Sequence, residues 1–243
     1  MLARRILVVS FIFVMVASFA AADLKVVKQT HRDGFSMMGQ TQPAEDSEQT
    51  TWIGDDRMIM NQGDTATIVR LDTNKLYVVN HSTQTFNVLD LPIDLTSLVP
   101  PEMKPMLDMM KFEVTVTPVD EHKQVGDWNA RRYDMTMSSS MFTMKSTMWV
   151  ATVPGYDPVT FQKMYVQLNS LQPGMADVVD EMRKIDGLVV EQQSVMTMMG
   201  NEVGTSEKTI SIEDVDAPAG TYDPPAGYNE KPFNFMERMQ AGR

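Results

Sequence analysis

Methionine is the residue type whose number and spacing suggest a particular chemistry in this sequence. The 243 residues include 23 methionines and no cysteine. The thioether is unbranched and polarizable, so it suits irregular apolar surfaces, and it is also a ligand for soft metals such as Cu(I). Three pairs have a spacing of two residues, which places both members on one face of a β-strand; they are Met58 and Met60, Met135 and Met137, and Met196 and Met198.

Several methionines share predicted strand or helix faces with aromatic residues, and together they could line one cavity. The candidate ligand-binding residues are Met103, Met106, Met110, Tyr133, Met135, Met137, Phe142, Met144, Met148, Met196 and Met198. One interpretation is an adaptable pocket for a flexible hydrophobic ligand. The other is an ordinary core in a protein that uses methionine freely, and the sequence favours neither.

Soft-metal binding is a less favoured interpretation of the same methionines. A spacing of two is also the spacing of any buried strand face, and the three histidines are scattered along the chain. Dedicated thioether sites usually add clusters of exposed methionine or histidine. We therefore predict no metal site and no cofactor.

Catalytic motifs are missing from the sequence. It contains neither the G-x-S-x-G nor the H-E-x-x-H pattern, and the lack of cysteine excludes disulfides, thiolate metal sites and cysteine nucleophiles. His31, His81 and His122 have polar, turn-like neighbours that favour solvated side chains, and the acidic pairs 55–56 and 120–121 are predicted to lie in turns. We predict that the protein is not an enzyme and has no catalytic residues.

The first 22 residues follow the three-part pattern of a secretory signal peptide. Arg4 and Arg5 precede an uncharged, largely apolar run from Ile6 to Ala20, and small residues follow it. This run of about 15 residues is shorter than the roughly 20 that span a bilayer. Cleavage after Ala20 and cleavage after Ala22 both fit the pattern. We expect export to a bacterial periplasm, a cleaved signal peptide and no permanent membrane anchor.

The charge of the remaining chain argues against nucleic acid as a partner. Two of the 21 basic residues belong to the signal peptide, so residues 23–243 carry 19 Lys and Arg against 32 Asp and Glu, a net charge of −13. A field of this sign repels a phosphate backbone and disfavours adsorption to anionic lipid. About 220 residues suffice for a hydrophobic core without disulfides. No linker-like stretch divides them, so we predict one domain over residues 23–243.

Short β-rich runs predict a meander of hairpins over residues 65–71, 75–80 and 85–91. Strict alternation places Val69, Leu71, Tyr77, Val79, Leu89 and Leu91 on one face of this meander, and Ile68, Leu76, Val78, Phe86 and Val88 on the other. A sheet with one wet face is apolar on one side only. We therefore expect both faces to be covered, by helices, by a ligand, or by both.

Three short helices are the predicted cover. The apolar face of the first helix consists of Met103, Met106, Leu107 and Met110. The second helix has Asp157 as its N-cap, ends at Pro173-Gly174, and has an apolar face of Phe161, Met164, Tyr165 and Leu168. The third has Gly187 as its C-cap and an apolar face of Val178, Val179, Met182 and Ile185. Further strands are expected at 24–32, 51–53, 57–60, 112–117, 130–138, 141–153, 188–199 and 203–212. Residues 39–50 should form a loop, and the Pro-rich tail from Ala217 should lie along the rim of the sheet.

Several phrases, taken in order, resemble a known family. They are IGDDRM at 53–58 with the meander, GDWNARRY at 126–133, MWVA at 148–151, VPGYD at 153–157, DGLVV at 186–190 and DPPAGY at 223–228. The chain is similar to exported proteins of the domain-of-unknown-function 4412 family and, through them, to the LolA/LolB-like lipoprotein-carrier superfamily. That resemblance implies an α+β fold in which a curved, open antiparallel β-barrel (a half-barrel) wraps over two or three short helices and encloses an apolar cavity. The basic residues that such carriers place near the cavity have no equivalent that the sequence identifies.

The resulting hypothesis is a non-catalytic periplasmic binding or carrier protein. It would shelter an acyl chain, a lipid or a lipoprotein in a methionine-rich cavity. The alternative is an interaction or scaffold module with a filled core, which would dock an outer-membrane or other envelope protein and hold no ligand. Handling of Cu(I) by methionine clusters is the third and least favoured reading.

Overall fold

A computed structural model describes residues 23–37, 40–101, 113–140, 142–169, 171, 178–198 and 200–234. Within these ranges most of the chain is β-strand. The strands are β1 (Leu24–Arg32), β2 (Phe35–Met37), β3 (Gln40–Gln42), β4 (Glu45–Ile53), β5 (Arg57–Gln62), β6 (Thr65–Arg70), β7 (Lys75–Asn80), β8 (Thr85–Asp90), β9 (Glu113–Val125), β10 (Trp128–Ser138), β11 (Phe142–Ala151), β12 (Leu188–Met198), β13 (Asn201–Asp214) and β14 (Asn229–Glu230).

Twelve of these strands form one sheet in the order β14-β8-β7-β6-β5-β4-β1-β13-β12-β11-β10-β9, and β2 and β3 form a separate hairpin. All neighbours are antiparallel except β14, which runs parallel to β8. Strand β1 joins the two halves of the sheet, because it pairs with β4 on one side and with β13 on the other. We call these halves wings: the first wing contains β4 to β8 and β14, and the second contains β9 to β13. Within the described residues the sheet is open, with β14 and β9 at its edges. The α+β class and the antiparallel sheet are therefore confirmed.

Three helices accompany the sheet in the described residues: α1 (Leu95–Leu98), α2 (Pro158–Asn169) and α3 (Val179–Met182). The predicted N-cap of α2 is confirmed, since the Asp157 carboxylate accepts hydrogen bonds from the backbone N–H of Val159 at 3.1 Å and of Thr160 at 3.2 Å. The predicted helix over residues 103–110 and the predicted end of α2 at 173–174 lie outside the described residues. No helix in the described ranges is long and apolar enough to cross a membrane.

The prediction for the third helix was wrong in its length and in the role of Gly187. Helix α3 is a single turn that ends at Met182, with Arg183 as its C-cap. Gly187 lies instead where the chain passes close to β11, and a Cβ atom there would be 2.5 Å from the carbonyl oxygen of Ala151. The glycine is therefore required by close packing of two backbones.

The prediction assigned the side chains of β7 to the wrong faces of the meander. Val69 is opposite Leu76, and Leu76 is opposite Leu89, so these three residues share a face. Tyr77 and Val79 consequently belong to the opposite face, with Ile68 and Phe86. The alternation of side chains within each strand was predicted correctly. The turns between the strands, however, set the register, which decides which side chains of neighbouring strands share a face of the sheet.

Both faces of the meander are covered, as predicted. On the inner face Met164 and Leu168 of α2 pack against Val69 and Leu76. On the outer face the C-terminal tail lies across the sheet, where Tyr222 is buried against Ile68 and Val79. The tail then pairs with β8 at the sheet edge through β14, which confirms its predicted position along the rim.

Two polar segments predicted as loop or turn are strands. Residues 40–42 and 45–53 form β3 and β4, and the acidic pair 120–121 lies within β9 rather than in a turn. In both places charged side chains are matched across strands: Arg32 with Glu45, and Arg132 with Glu121. Such cross-strand pairs offset part of the low strand propensity of acidic residues.

Candidate functional site

A wall of methionines covers the inner face of the second wing. Strands β10, β11 and β12 are neighbours, and Met144 of β11 stands directly between Met137 of β10 and Met196 of β12. Two cross-strand rows farther along the same face, Met148 of β11 is opposite Tyr133 of β10. The registers of these long antiparallel strands therefore place the predicted residues of β10, β11 and β12 on one face of the sheet.

A cavity of about 410 Å³ lies between this wall, the first strands of the sheet and the helices. Met135, Met137, Met144 and Met148 of the predicted set line it. Its volume falls within the range of small-molecule binding pockets. The wall and the cavity are thus one feature, with flexible thioether side chains on one side of an internal space.

The other predicted residues are distributed differently. Met196, Met198 and Phe142 lie in register on the same face but outside the cavity lining, and they extend the apolar wall toward the ends of the strands. Tyr133 is only 1% exposed and packs with Met135 and Met148 in the core, outside the cavity lining. Met103, Met106 and Met110 are outside the described residues.

Tyr133 is a structural hydrogen-bond donor in this arrangement. Its hydroxyl donates to the Asp186 carboxylate at 2.5 Å. Burial, together with this hydrogen bond and the neighbouring negative charge, raises the pKa of Tyr133, so the phenol stays neutral. The contact fixes the segment that leads from α3 into β12.

Helices α2 and α3 form the roof over the methionine wall, and polar contacts hold them there. The amide of Gln162 in α2 donates to the carbonyl oxygens of Met182 at 3.1 Å and of Ile185 at 3.0 Å. In α3 the Glu181 carboxylate accepts the backbone N–H of Val116 in β9 at 2.7 Å. The Lys184 side chain and this N–H lower the pKa of Glu181, so the carboxylate is charged near neutrality.

The predicted face of α2 divides between the core and the cavity. Met164 and Leu168 are buried in the core, whereas Phe161 and Tyr165 line the cavity with their rings stacked at 5.7 Å between centroids. Met60 and Met182 also line the cavity, although neither was among the predicted ligand-binding residues. Met60 was visible in the sequence as a spaced methionine, and Met182 as part of the third helix face.

One end of the cavity is polar. Lys28, Gln49 and Thr51 line it from β1 and β4, and Gln192 and Glu207 line it from β12 and β13. The ammonium of Lys28 lies 3.8 Å from a carboxylate oxygen of Glu207, with the two side chains 20% and 34% exposed. Burial lowers the pKa of Lys28, and the charge of Glu207 offsets part of that effect.

Lys28 was missed in the sequence, although a signal for it was present. Leu24, Val26 and Lys28 alternate along β1, so the lysine is the third side chain on a face whose first two members are buried in the core. A cation that continues an apolar strand face is a candidate for a charge directed inward.

The histidines and acids form no comparable centre. In the part of the chain that the structure describes, no three or more His, Asp or Glu residues are placed to hold a metal ion. His31 contacts Asp46 at 2.7 Å in an exposed position, and His81 contacts the hydroxyl of Tyr228 at 3.0 Å, where it holds the tail. His31 and His122 lie in strands rather than in the turn-like settings predicted for them.

Comparison with known proteins gave similarities to solved structures and no sequence match. No family model matches the chain, and no curated protein matches it. Among solved structures, the chain is similar to an outer membrane lipoprotein-sorting protein domain from Vibrio parahaemolyticus, with 9% sequence identity, a TM-score of 0.32, and coverage of 83% of this chain and 89% of that one. At this identity and TM-score, the similarity does not establish a shared fold or a shared function.

Proposed function

We propose that this protein is an exported, non-catalytic binding or carrier protein that shelters an apolar chain in its methionine-walled cavity. The observation that supports the proposal is the cavity itself: about 410 Å³, with four of the predicted methionines on one wall and aromatic side chains on the other. Unbranched thioethers adapt to a flexible ligand with little strain. In this proposal the sheet curves around the cavity as an open half-barrel.

A fluorescent fatty-acid probe tests this function directly. Titration of the purified protein with an anthroyloxy-labelled stearate should give saturable enhancement of fluorescence, because the probe moves from water into an apolar site. Met144→Glu places a charge in the cavity wall and should weaken binding about tenfold or more, which corresponds to about 1.4 kcal/mol.

Val195→Glu is the matched control for this substitution. Val195 is on the neighbouring strand β12, next in sequence to Met196, but its side chain is 44% exposed on the other face of the sheet. It should leave the affinity for the probe unchanged. Equal losses in the two variants, or absence of saturable binding in the unmodified protein, would contradict the carrier proposal. Absence of binding would favour the scaffold alternative instead.

A second candidate function is favoured by one observation, the direct alignment of three methionines across three strands. Met137, Met144 and Met196 occupy consecutive positions in one cross-strand row. Directly opposed residues in a sheet have Cβ atoms about 5 Å apart, and thioethers prefer soft cations. We infer that this row is the place where Cu(I), if it binds, would be held.

Titration with Cu(I) under reducing conditions tests the second candidate. Met144→Leu should abolish binding, whereas Met135→Leu should not, because Met135 is opposite Ser146 and belongs to no three-methionine row. Both changes conserve side-chain volume and should cost less than about 1.5 kcal/mol of stability. Retention of full Cu(I) affinity in Met144→Leu would exclude this row as the site.

A further inference from the structure

The polar end of the cavity bears on what kind of apolar ligand the protein takes. Lys28, Gln49 and Glu207 line a largely apolar space, from β1 and from the two strands β4 and β13 that pair with it. A cavity meant only for hydrocarbon would gain nothing from a partly buried ammonium group, since even partial desolvation of a charge is costly. The position of Lys28 therefore calls for a functional explanation.

Glu207 compensates this charge only in part. The 3.8 Å separation of the ammonium and carboxylate is longer than a hydrogen bond, so their interaction is mainly Coulombic. Glu207 is also the more exposed partner and can remain hydrated if another anion approaches Lys28. An anion that enters the cavity and accepts hydrogen bonds from the Lys28 ammonium would replace a loose pair by a charge-assisted hydrogen bond.

Residues from five adjacent strands of the sheet line the cavity, from β1 through β13, β12 and β11 to β10. Four strand spacings separate β1, which carries Lys28, from β10, which carries Met135 and Met137. At the usual spacing of neighbouring strands this is about 19 Å along the sheet. A ligand that reaches both ends needs a polar group at one end and an extended apolar part toward the methionine wall.

We propose that the natural ligand is a single-chain anionic amphiphile, an inference that rests on the proposed function. Lys28 binds its carboxylate or phosphate head group, and its chain lies against the methionine wall. Gln49, which is directly opposite Lys28 on β4, and Gln192, which is directly opposite Glu207 on β12, flank the head group. Glu207 acts against anion binding and favours release of the ligand.

Three ligands with the same chain separate the contribution of the head group from that of the chain. Oleate, oleyl phosphate and oleyl alcohol are each used to displace the fluorescent probe from the intact protein. Oleate or oleyl phosphate should bind at least tenfold more tightly than oleyl alcohol, and the stronger of the two anions identifies the head group. Equal binding of all three would overturn the head-group proposal and leave the carrier function standing. Failure of all three to bind would overturn the carrier function itself.

Substitutions then assign the preference to Lys28. Lys28→Met keeps the length of the side chain and should remove the preference for the anion while retaining affinity for the alcohol. Lys25→Met is the matched control, because Lys25 is on the same strand but its ammonium lies over Trp52 on the other face. Glu207→Gln should increase the preference for the anion severalfold.

The outcome for Lys28→Met is decisive whether or not stability changes. Thermal unfolding of each variant shows that it is folded, and the oleyl alcohol affinity shows that its cavity is intact. A Lys28→Met variant that is folded, binds the alcohol and still prefers the anion would contradict the proposal. So would a loss of preference in Lys25→Met as large as that in Lys28→Met.

Discussion

The two wings of the sheet bury their inner faces in different ways. In the meander, branched side chains such as Val69 and Leu76 meet Met164 and Leu168 of α2, and the tail closes the opposite face. In β10 and β11, unbranched methionines face a cavity. Branched residues have few rotamers and fill a fixed shape, whereas methionine adapts to several. The first wing is a closed core, and the second is a surface suited to a variable occupant.

Truncation of one side chain in each wing should show the largest difference between the wings, in the stability that each variant loses. Leu76 is 0% exposed, and Leu76→Ala should destabilise the protein by about 2–5 kcal/mol because it leaves a cavity in a packed core. Met144→Ala removes a half-buried side chain that already borders open space, and it should cost less than about 1.5 kcal/mol. Urea unfolding measures both. Equal losses would mean that the two wings are packed alike.

The charge at the junction of the wings should give a smaller, pH-dependent effect. The pKa of Lys28 is lower in the folded protein than its usual value of 10.5, so the unfolded chain binds more protons between those two pKa values. Stability should therefore rise with pH toward 10.5 in the unmodified protein, relative to Lys28→Met.

Thermal unfolding of the two proteins at pH 7 and at pH 10 measures this difference. Lys28→Met should be the more stable protein at pH 7, and its advantage should shrink at pH 10. A difference that does not change with pH would show that the Lys28 ammonium is not desolvated in the fold.

The smallest expected effect on stability concerns α2, which packs against the meander and also lines the cavity. Asp157→Ala removes the N-cap of this helix and should lower the melting temperature by roughly 2–4 °C. The hydroxyl of Thr160 and the N–H of Val159 lower the pKa of Asp157, so the contribution of the cap should be present above its usual pKa of 3.8 and lost as pH falls through the lower folded value. Asp157→Asn, which also caps helices well, is the control and should retain most of the stability.

Local patterns predicted most of the strands and the N-cap of α2, because these features depend on residues that are close together in the sequence. Alternation showed that Met135 and Met137 share a face, and the capping residues preceded Pro158. The same local information could not set the phase of β7 against β6, since that depends on hairpin register. It also could not predict β4 from a polar segment, because the stabilising partners of that segment are on β1.

The polar end of the cavity shows why the site was only partly predictable. Lys28 and Glu207 are far apart in sequence and meet only because β1 pairs with β13. Gln192 reaches the same place through the pairing of β12 with β13. The methionine wall, in contrast, is built from strands with recurring local patterns, so its members could be named from the sequence while their common cavity could not.

Native mass spectrometry of the protein recovered from expressing cells, before and after solvent extraction, tests the central claim most directly. We expect an adduct of several hundred daltons that is removed by extraction and is recovered as an amphiphilic lipid. The same protein with Met144→Glu should carry less of it, and Val195→Glu should carry as much as the unmodified protein. A clean apo mass in the unmodified protein, together with no uptake of added fatty acid, would contradict the carrier function.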